Sequence, residues 1–235
     1  MRDDKTWPRR FLASPVSWTL AVVAVAILSG SCSTDSKSPA PSKQPTAQSG
    51  PSFVSFSSLS PAELKNYRVV LETSKGSIEL EFFPDAAPEH VRNFLRLCQL
   101  GFYDHTAWHR VARRFVIQGG DLGTRRPRLG AAEMASGVRR LPPEISDLKH
   151  EEGTLSMARG DDPNSAETSF FICLTRQPKL DGKYTIFGRV VSGVETVERI
   201  ANVHVKGETP VVRVELIRAS VAKVESQKVN EDRKG

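Results

Sequence analysis

Residues 103–121, YDHTAWHRVARRFVIQGGD, decide the fold and the function that we predict for this chain. Two runs within this stretch, 107–111 and 115–118, are rich in β-branched and aromatic residues, and two glycines close the second run. Such runs bounded by glycine are typical of β-strands. We therefore predict two adjacent strands joined by a short turn, which places Arg110 of the first strand beside the second.

The flanking sequence supplies further strands. Upstream, RVVLETSKGSIELEFF (68–83) alternates apolar and polar residues around a Ser-Lys-Gly turn, which predicts a hairpin with one buried face. Downstream strand runs are GTLSMA (153–158), SFFICLT (169–175), TIFGRVV (185–191) and VVRVELI (211–217). Composition and periodicity alone indicate a mostly β protein, either a barrel or a sandwich.

Two helices interrupt the strands. The first begins at Pro88 and ends before Gly101, because proline suits a first turn and glycine follows helix ends. The second begins near Ser192 and Glu195, whose spacing is that of a capping box. Both helices carry apolar residues at intervals of three and four positions, so each should pack one face on the sheet.

Three motifs in this order resemble those of the cyclophilin family of peptidyl-prolyl cis-trans isomerases. The motifs are WHRVARRFVIQGGD (108–121), GTLSMARGDDPNSAETSFFI (153–172) and LDGKYTIFGRVVSGVETV (180–197). The resemblance spans residues 67–220 and implies a closed eight-stranded antiparallel β-barrel capped by two α-helices. It also implies rotation about Xaa-Pro bonds as the activity, with no cofactor.

This activity has simple chemical requirements. The two isomers of a prolyl peptide bond are separated by a barrier of roughly 20 kcal/mol, because rotation breaks the amide resonance. No nucleophile or metal is needed to lower it. An apolar recess for the proline ring, a cation near the imide nitrogen and a grip on the peptide backbone all favour the twisted state.

The resemblance assigns residues to these tasks. Arg110 matches the catalytic arginine of the family. Nine further residues match substrate-binding positions: His109, Phe115, Val116, Gln118, Ala158, Arg159, Phe171, Leu180 and Tyr184. The resemblance implies that the proline recess is walled by Phe115, Val116, Phe171 and Leu180. Gln118 would bond the peptide backbone, and Ala158 with Arg159 would belong to the strand that pairs with the peptide. We assign no proton transfer to His109, because isomerisation requires none.

Four positions depart from the family pattern. Arg159 stands in place of asparagine and Ser169 in place of glutamine. Val116 is smaller than the usual methionine or leucine, which predicts a looser recess. Lys179, beside Leu180, occupies the position of an aromatic ring that contributes to cyclosporin binding in the family. The chain should therefore be weakly inhibited by the drug.

The charge distribution gives little support for nucleic-acid binding. The net charge of +6 falls mostly outside residues 67–220, where 22 basic side chains meet 20 acidic ones. Nucleic-acid-binding domains usually show a strong basic excess on one surface. A local basic cluster does occur, at Arg125, Arg126, Arg128, Arg139 and Arg140. A solvated loop is the preferred interpretation of this cluster, and a site for an acidic partner is the alternative.

The cysteines and histidines do not form a metal-binding pattern. His105 and His109 are four residues apart, but a zinc helix of the HExxH type would need a glutamate after the first histidine and a helical context. We therefore expect no metal. Cys98 and Cys173 are interpreted as buried free thiols, with a disulfide between them as the alternative.

Residues 1–32 resemble an export signal. Four basic residues precede the apolar run 18–28, which is short compared with the roughly 20 residues that span a bilayer. We predict a cleaved signal peptide, with a membrane anchor over 11–31 as the alternative. The segment LSGSC (28–32) is similar to the lipobox of bacterial lipoproteins, although its leucine lies four positions before Cys32 and not three. Lipidation of Cys32 is therefore expected, and an incidental cysteine is the alternative.

These observations predict four segments. They are a signal peptide with a lipobox at 1–32, a Ser/Pro-rich linker at 33–66, a cyclophilin-like isomerase domain at 67–220 and a charged disordered tail at 221–235. The leading hypothesis is an isomerase exported to the periplasm or cell envelope and lipid-anchored to a membrane. Its partners would be proline-containing peptides and unfolded envelope proteins. The alternatives are a catalytically weak proline-peptide-binding or chaperone module and, less favoured, a structural envelope protein.

Overall fold

The computed structural model describes residues 53–224, and antiparallel β-sheet is its main element. The strands are β1 (Tyr67–Thr73), β2 (Gly76–Phe82), β3 (Thr106–Ala107), β4 (Arg110–Ala112), β5 (Val116–Gly119), β6 (Thr154–Met157), β7 (Phe170–Cys173), β8 (Ile186–Ser192), β9 (Val205–Lys206), β10 (Thr209–Pro210) and β11 (Glu215–Lys223). Nine of them form one sheet in the order β3-β11-β1-β2-β8-β6-β7-β5-β4, and β9 pairs with β10.

The structure confirms the mostly β fold class but not a closed eight-stranded barrel. The two end strands of the nine-stranded sheet, β3 and β4, are not hydrogen-bonded to each other. Between them the backbone N–H of Trp108 donates to Val214 O on one edge, and that of His109 donates to Gln118 O on the other. The chain crosses the gap at these two residues, which is why the single strand predicted over 107–111 is divided.

Four α-helices accompany the sheet within the described residues. They are α1 (Pro61–Leu64), α2 (Pro88–Gln99), α3 (Ala131–Gly137) and α4 (Val194–Ala201). Helix α2 confirms the first predicted helix. Its Phe94 ring lies in the core, with ring centroids of Phe82, Tyr103, Phe170 and Phe187 at 5.7, 5.1, 5.2 and 5.3 Å.

The predicted capping box of the second helix is wrong. Ser192 is the last residue of β8, and the N-cap of α4 is Gly193, which has φ of 86° and provides no side-chain cap. A Cβ atom at this position would lie 2.2 Å from Ser77 O. The close approach of α4 to β2 therefore requires glycine here, and the chain reverses too sharply for Ser192 to cap the helix.

The folded part is longer than predicted at both ends. Phe56 and Leu64, in the segment assigned to the linker, are buried in the core, and the Phe56 ring meets Tyr67 edge-on at 5.2 Å. At the other end β11 runs to Lys223, which pairs with Tyr67. The apolar residues of 53–66 follow no sustained strand or helix period, so the sequence pattern did not predict these contacts. The predicted signal, Cys32, and the rest of the linker and tail lie outside the described residues.

Among residues 53–224, none of the helices has both the length and the apolar character needed to cross a bilayer.

Candidate active site

Strands β5 and β7 present two different apolar faces. On one face Ile117, Phe170 and Ile172 belong to the main core. On the other face Val116 and Phe171 belong to a smaller cluster with Ala112 and Cys173, against which Phe115, Ala158, Leu180 and Tyr184 pack. This division follows from the alternation of side chains along a strand. The smaller cluster is the floor of the candidate site.

Strand register places the polar residues of the site over this floor. Arg110 of β4 is directly opposite Gln118 of β5, and Gln118 is directly opposite Phe171 of β7. Residues opposite each other in antiparallel strands share a face of the sheet. Arg110, Gln118 and Phe171 therefore form a row across three strands.

A cavity of about 260 Å³ opens above this row. It is lined by nine residues, all of them selected from the sequence: Arg110, Phe115, Val116, Gln118, Ala158, Arg159, Phe171, Leu180 and Tyr184. We call it the prolyl pocket. Its walls are aromatic and aliphatic, and its polar side-chain groups are two guanidinium groups, one amide and the hydroxyl of Tyr184, so it combines an apolar recess with cations and a backbone-binding amide.

His109 is the predicted substrate-binding residue that the structure does not bring into the pocket lining. Its ring is half-buried, and its Nδ1 atom is buried without a hydrogen bond to any described residue. Burial lowers the pKa of His109 below its ordinary value. Its backbone N–H donates to Gln118 O of β5, and its side chain is not among the groups that line the pocket.

Two hydrogen bonds hold the Arg110 guanidinium at the pocket edge. Nε donates to Glu208 Oε2 at 2.6 Å, and Nη1 donates to Gln118 Oε1 at 3.4 Å. The guanidinium carbon also lies 5.7 Å from the centre of the Phe115 ring. The remaining N–H groups of Arg110 have no hydrogen bond to another described residue, so they can donate to a bound peptide.

Glu208, which accepts the hydrogen bond from Arg110, was not among the residues predicted from the sequence. This residue lies between β9 and β10, and its backbone oxygen accepts a 2.7 Å bond from Val111 N–H, so the β9–β10 hairpin is attached to β4 at the catalytic edge. The residue is 98 positions from Arg110 in the chain. No pattern within the sequence signals a contact over that separation.

A second network missed by sequence analysis supports the Phe171 wall. The Phe171 ring meets Tyr184 edge-on at 5.8 Å and stacks on His150 at 6.1 Å. His150 Nε2 lies 3.1 Å from Ser156 Oγ, and its Nδ1 lies 3.0 Å from Asp181 Oδ1. Burial lowers the pKa of His150, which keeps the ring neutral.

Asp181 links this network to the loop that carries Leu180. Its carboxylate accepts hydrogen bonds from the Arg176 guanidinium, the closer at 2.5 Å, and from the backbone N–H of His150. These bonds, the one from Arg176 first, hold the pKa of Asp181 well below its usual range. The wall of the pocket is thus braced by an ion pair behind it.

Arg159, which replaces asparagine in the family pattern, lies along the pocket rim. Its guanidinium carbon is 4.7 Å from the centre of the Tyr184 ring, and Nη1 donates to Gly160 O at 2.8 Å. The backbone N–H and C=O of Arg159 have no hydrogen bond within residues 53–224. They are therefore available for the backbone pairing with a peptide that the resemblance implies. Lys179, another departure, is exposed in the short turn Pro178–Leu180.

The remaining chemical expectations concern cysteines and metals. Cys98 and Cys173 are both buried and free, which confirms the preferred interpretation over a disulfide. Burial raises the pKa of Cys173 to about 12, so its thiol is unreactive at neutral pH. Residues 53–224 contain no group of three or more potential metal ligands, and His105 contacts Glu215 at 3.1 Å, not His109.

Comparisons with known proteins point to one family. Residues 68–221 match the family model described as cyclophilin type peptidyl-prolyl cis-trans isomerase. The chain is similar to peptidyl-prolyl cis-trans isomerase-like 1 of Gibberella zeae, at 41% identity over 163 residues, covering 68% of this chain and 97% of that protein. It is also similar to a probable peptidyl-prolyl cis-trans isomerase of Brucella abortus, at 39% identity over 137 residues, covering 56% of this chain and 70% of the other.

Solved structures show the same likeness. A cyclophilin type isomerase of Cryptosporidium parvum superposes with a TM-score of 0.59 and 30% identity, covering 66% of this chain and 97% of that one. The same protein in the presence of the dipeptide Ala-Pro gives a TM-score of 0.58 and 31% identity, with 68% and 99% covered. A cyclophilin of Hirschia baltica, at 23% identity and a TM-score of 0.56, shares the fold; 67% of this chain and 74% of that chain are covered.

Proposed function

Since the chain belongs to the cyclophilin family of peptidyl-prolyl cis-trans isomerases and has that activity, we propose that Arg110 is its catalytic residue. We also propose that the enzyme acts on proteins of a bacterial cell envelope. The single observation that carries the catalytic assignment is the row of Arg110, Gln118 and Phe171 across β4, β5 and β7, at the mouth of the prolyl pocket.

The proposed mechanism begins with binding of the proline ring. Phe115, Phe171 and Leu180 surround the ring, which leaves the Xaa-Pro bond at the pocket mouth. Gln118 and the free backbone groups of Arg159 hold the peptide on the two sides of this bond. The peptide is thereby fixed at both flanks, while the bond between them remains free to rotate.

Arg110 then acts on the twisted state. As the bond rotates, amide resonance is lost and the imide nitrogen becomes pyramidal, so it gains a lone pair that can accept a hydrogen bond. A free N–H of the Arg110 guanidinium is positioned to donate to it. A charge-assisted hydrogen bond made only in the transition state is worth about 1.5–3 kcal/mol, or roughly 10- to 150-fold in rate.

The test is isomer exchange on a short Xaa-Pro peptide measured by NMR. The full chain should accelerate exchange, and Arg110→Ala should lower the acceleration by roughly 10- to 150-fold. Arg113→Ala is the matched control, because Arg113 is exposed in the adjoining turn and does not line the pocket; it should behave as the parent chain. Parent-like exchange in Arg110→Ala would refute this assignment, and failure of the full chain to accelerate exchange would favour a binding module.

The cellular part of the proposal rests on sequence. The basic and apolar segments before Cys32, and the resemblance of LSGSC to a lipobox, support export and lipidation at this cysteine. An isomerase tethered just off a membrane would meet envelope proteins while their prolyl bonds are still equilibrating, which takes tens of seconds unaided. Mass spectrometry of the mature N-terminus should find acylated Cys32. A mature chain that begins at an unmodified residue other than Cys32 would contradict the anchoring.

A further inference from the structure

The basic cluster recognised in the sequence is divided by the fold. Arg140 pairs with Glu167, and neither Arg139 nor Arg140 lines the depression formed by the remaining arginines. This depression of about 350 Å³ is lined by four arginines, which we call the arginine cleft: Arg125, Arg126, Arg128 and Arg213. The other lining residues are Gly123, Thr124 and Pro127, so none of the lining side chains is acidic.

Two of these guanidinium groups are fixed by main-chain carbonyls. Arg213 Nη2 donates to His105 O at 2.7 Å, and Arg125 Nη1 donates to Pro127 O at 2.9 Å. A neutral carbonyl orients a guanidinium but does not cancel its charge. Arg126 and Arg128 are exposed, and their side chains have no ion pair or hydrogen bond with any residue of 53–224.

The acidic side chains nearby are already engaged. Asp121 Oδ1 accepts from Gly123 N–H at 2.8 Å and so caps the turn that leads into the cleft. Glu215 lies 3.1 Å from His105 Nδ1. Among the described residues, no carboxylate forms an ion pair with any of the four guanidinium groups of the cleft, which repel one another.

The backbone that carries the cleft is held rigidly. Thr124 Oγ1 donates to Asp121 O at 2.6 Å and accepts from Ala107 N–H at 3.0 Å, which ties the turn to β3. Arg126 N–H donates to His105 O at 3.1 Å. Arg125 and Arg213, whose guanidinium groups are already held by carbonyls, lose less entropy when they bind a ligand.

We propose that the arginine cleft binds a phosphate group. Guanidinium forks match the spacing of phosphate oxygens, and several of them around one concave surface favour a compact oxyanion. The volume of about 350 Å³ admits a phosphate group together with several waters, since one water occupies roughly 30 Å³ in the liquid. Free phosphate and a phospholipid headgroup share this chemistry. Val211 and Val212, 58% and 76% exposed, directly precede Arg213 and would touch the acyl region beside a bound headgroup.

Calorimetric titration of the full chain with sodium phosphate, against sodium chloride at equal ionic strength, tests the site. Arg126→Gln with Arg128→Gln should weaken phosphate binding about tenfold or more, because two charge-assisted contacts are lost. Arg139→Gln is the control, since Arg139 is exposed, follows α3 and lies outside the cleft. Absence of saturable phosphate binding, or equal binding in the double variant and the control, would overturn the proposal. Tighter binding of an acidic peptide than of phosphate would also overturn it.

Vesicles distinguish the two sources of phosphate. The measurement is sedimentation of the protein with phosphatidylcholine vesicles, prepared with and without phosphatidylglycerol. The double variant is compared with Arg139→Gln, so that any contribution of the N-terminal segment to vesicle binding is the same in both proteins. Loss of the phosphatidylglycerol-dependent fraction in the double variant assigns the site to a lipid headgroup. An unchanged fraction, together with saturable phosphate binding, assigns it to free phosphate. Prolyl isomerase activity should be the same in both variants, since neither change lies in the prolyl pocket.

Discussion

Replacing Glu208 by alanine should loosen Arg110 while leaving the fold intact. Glu208 provides the shorter of the two hydrogen bonds that hold the guanidinium, at 2.6 Å. The other, to Gln118, is 3.4 Å long and near the limit for a hydrogen bond. Without the carboxylate, the arginine would sample several rotamers in the free enzyme and would have to be ordered again in each turnover.

The size of the effect follows from this lost order. Fixing a freed arginine side chain costs up to about 2 kcal/mol, and half of that corresponds to a fall in kcat/KM of about fivefold. An opposing effect exists, because the carboxylate also offsets the positive charge of Arg110. The two side chains are 36% and 53% exposed, so water screens this charge effect and positioning should prevail.

Isomer-exchange kinetics and thermal unfolding together test the reasoning. Glu208→Ala should lower kcat/KM about fivefold, and Glu208→Gln, which retains an oxygen acceptor, about twofold. An exposed ion pair contributes about 0–1 kcal/mol, so Tm should fall by no more than roughly 4 °C. Lys206→Ala, an exposed change on the same hairpin, should leave both unaltered. A kcat/KM equal to or above that of the parent in Glu208→Ala would refute the positioning role.

Three further outcomes follow from the structure. Cyclosporin should inhibit weakly, and Lys179→Trp, which restores an aromatic ring beside the pocket, should tighten inhibition about tenfold in an exchange assay. Burial lowers the pKa values of His150 and His109 below 6.5 in the folded state. The unfolded chain therefore binds protons first, so stability is full above pH 6.5 and is lost as pH falls from there through the lower folded pKa. Urea midpoints should decrease as pH is lowered from about 6.5 to about 5, with a shallower slope in His150→Gln. Gly193→Ala should lower the free energy of unfolding by about 2 kcal/mol or more, because its Cβ would meet Ser77 O. Gly182→Ala, also at positive φ but with open space around it, should lower it by about 1 kcal/mol. Equal losses would show that the contact with Ser77 O is unimportant.

Much of the candidate site was predictable because its residues lie in short motifs. Arg110 and Gln118 belong to one strand pair joined by a tight turn, so local pattern brings them together. Phe171 sits in a separate motif, and only the resemblance placed it in the same pocket. The resemblance grouped His109 with them, but its side chain does not line the pocket, and its main chain crosses between the two edges of the sheet.

Other features depended on contacts that no local pattern contains. The capping-box spacing at Ser192 is a legitimate helix signal, yet the approach of α4 to Ser77 required a glycine N-cap one residue later. Phe56 and Leu64 lie in a segment without a clear strand or helix period, and their burial depends on contacts with residues such as Tyr67 that only the folded chain provides.

The amino-acid sequence by itself determined the strand alternation and the helix α2, because periodicity reports on near neighbours, and its resemblance to a known family supplied the nine side chains that line the prolyl pocket. Tertiary structure alone decided that the sheet stays open between β3 and β4 and that Glu208 accepts a hydrogen bond from Arg110. It also decided that four arginines from two separate segments line one cleft. The physical reason is that these arrangements are set by how distant strands register against one another, and the interaction energy at each contact exists only after the chain has brought its remote parts together.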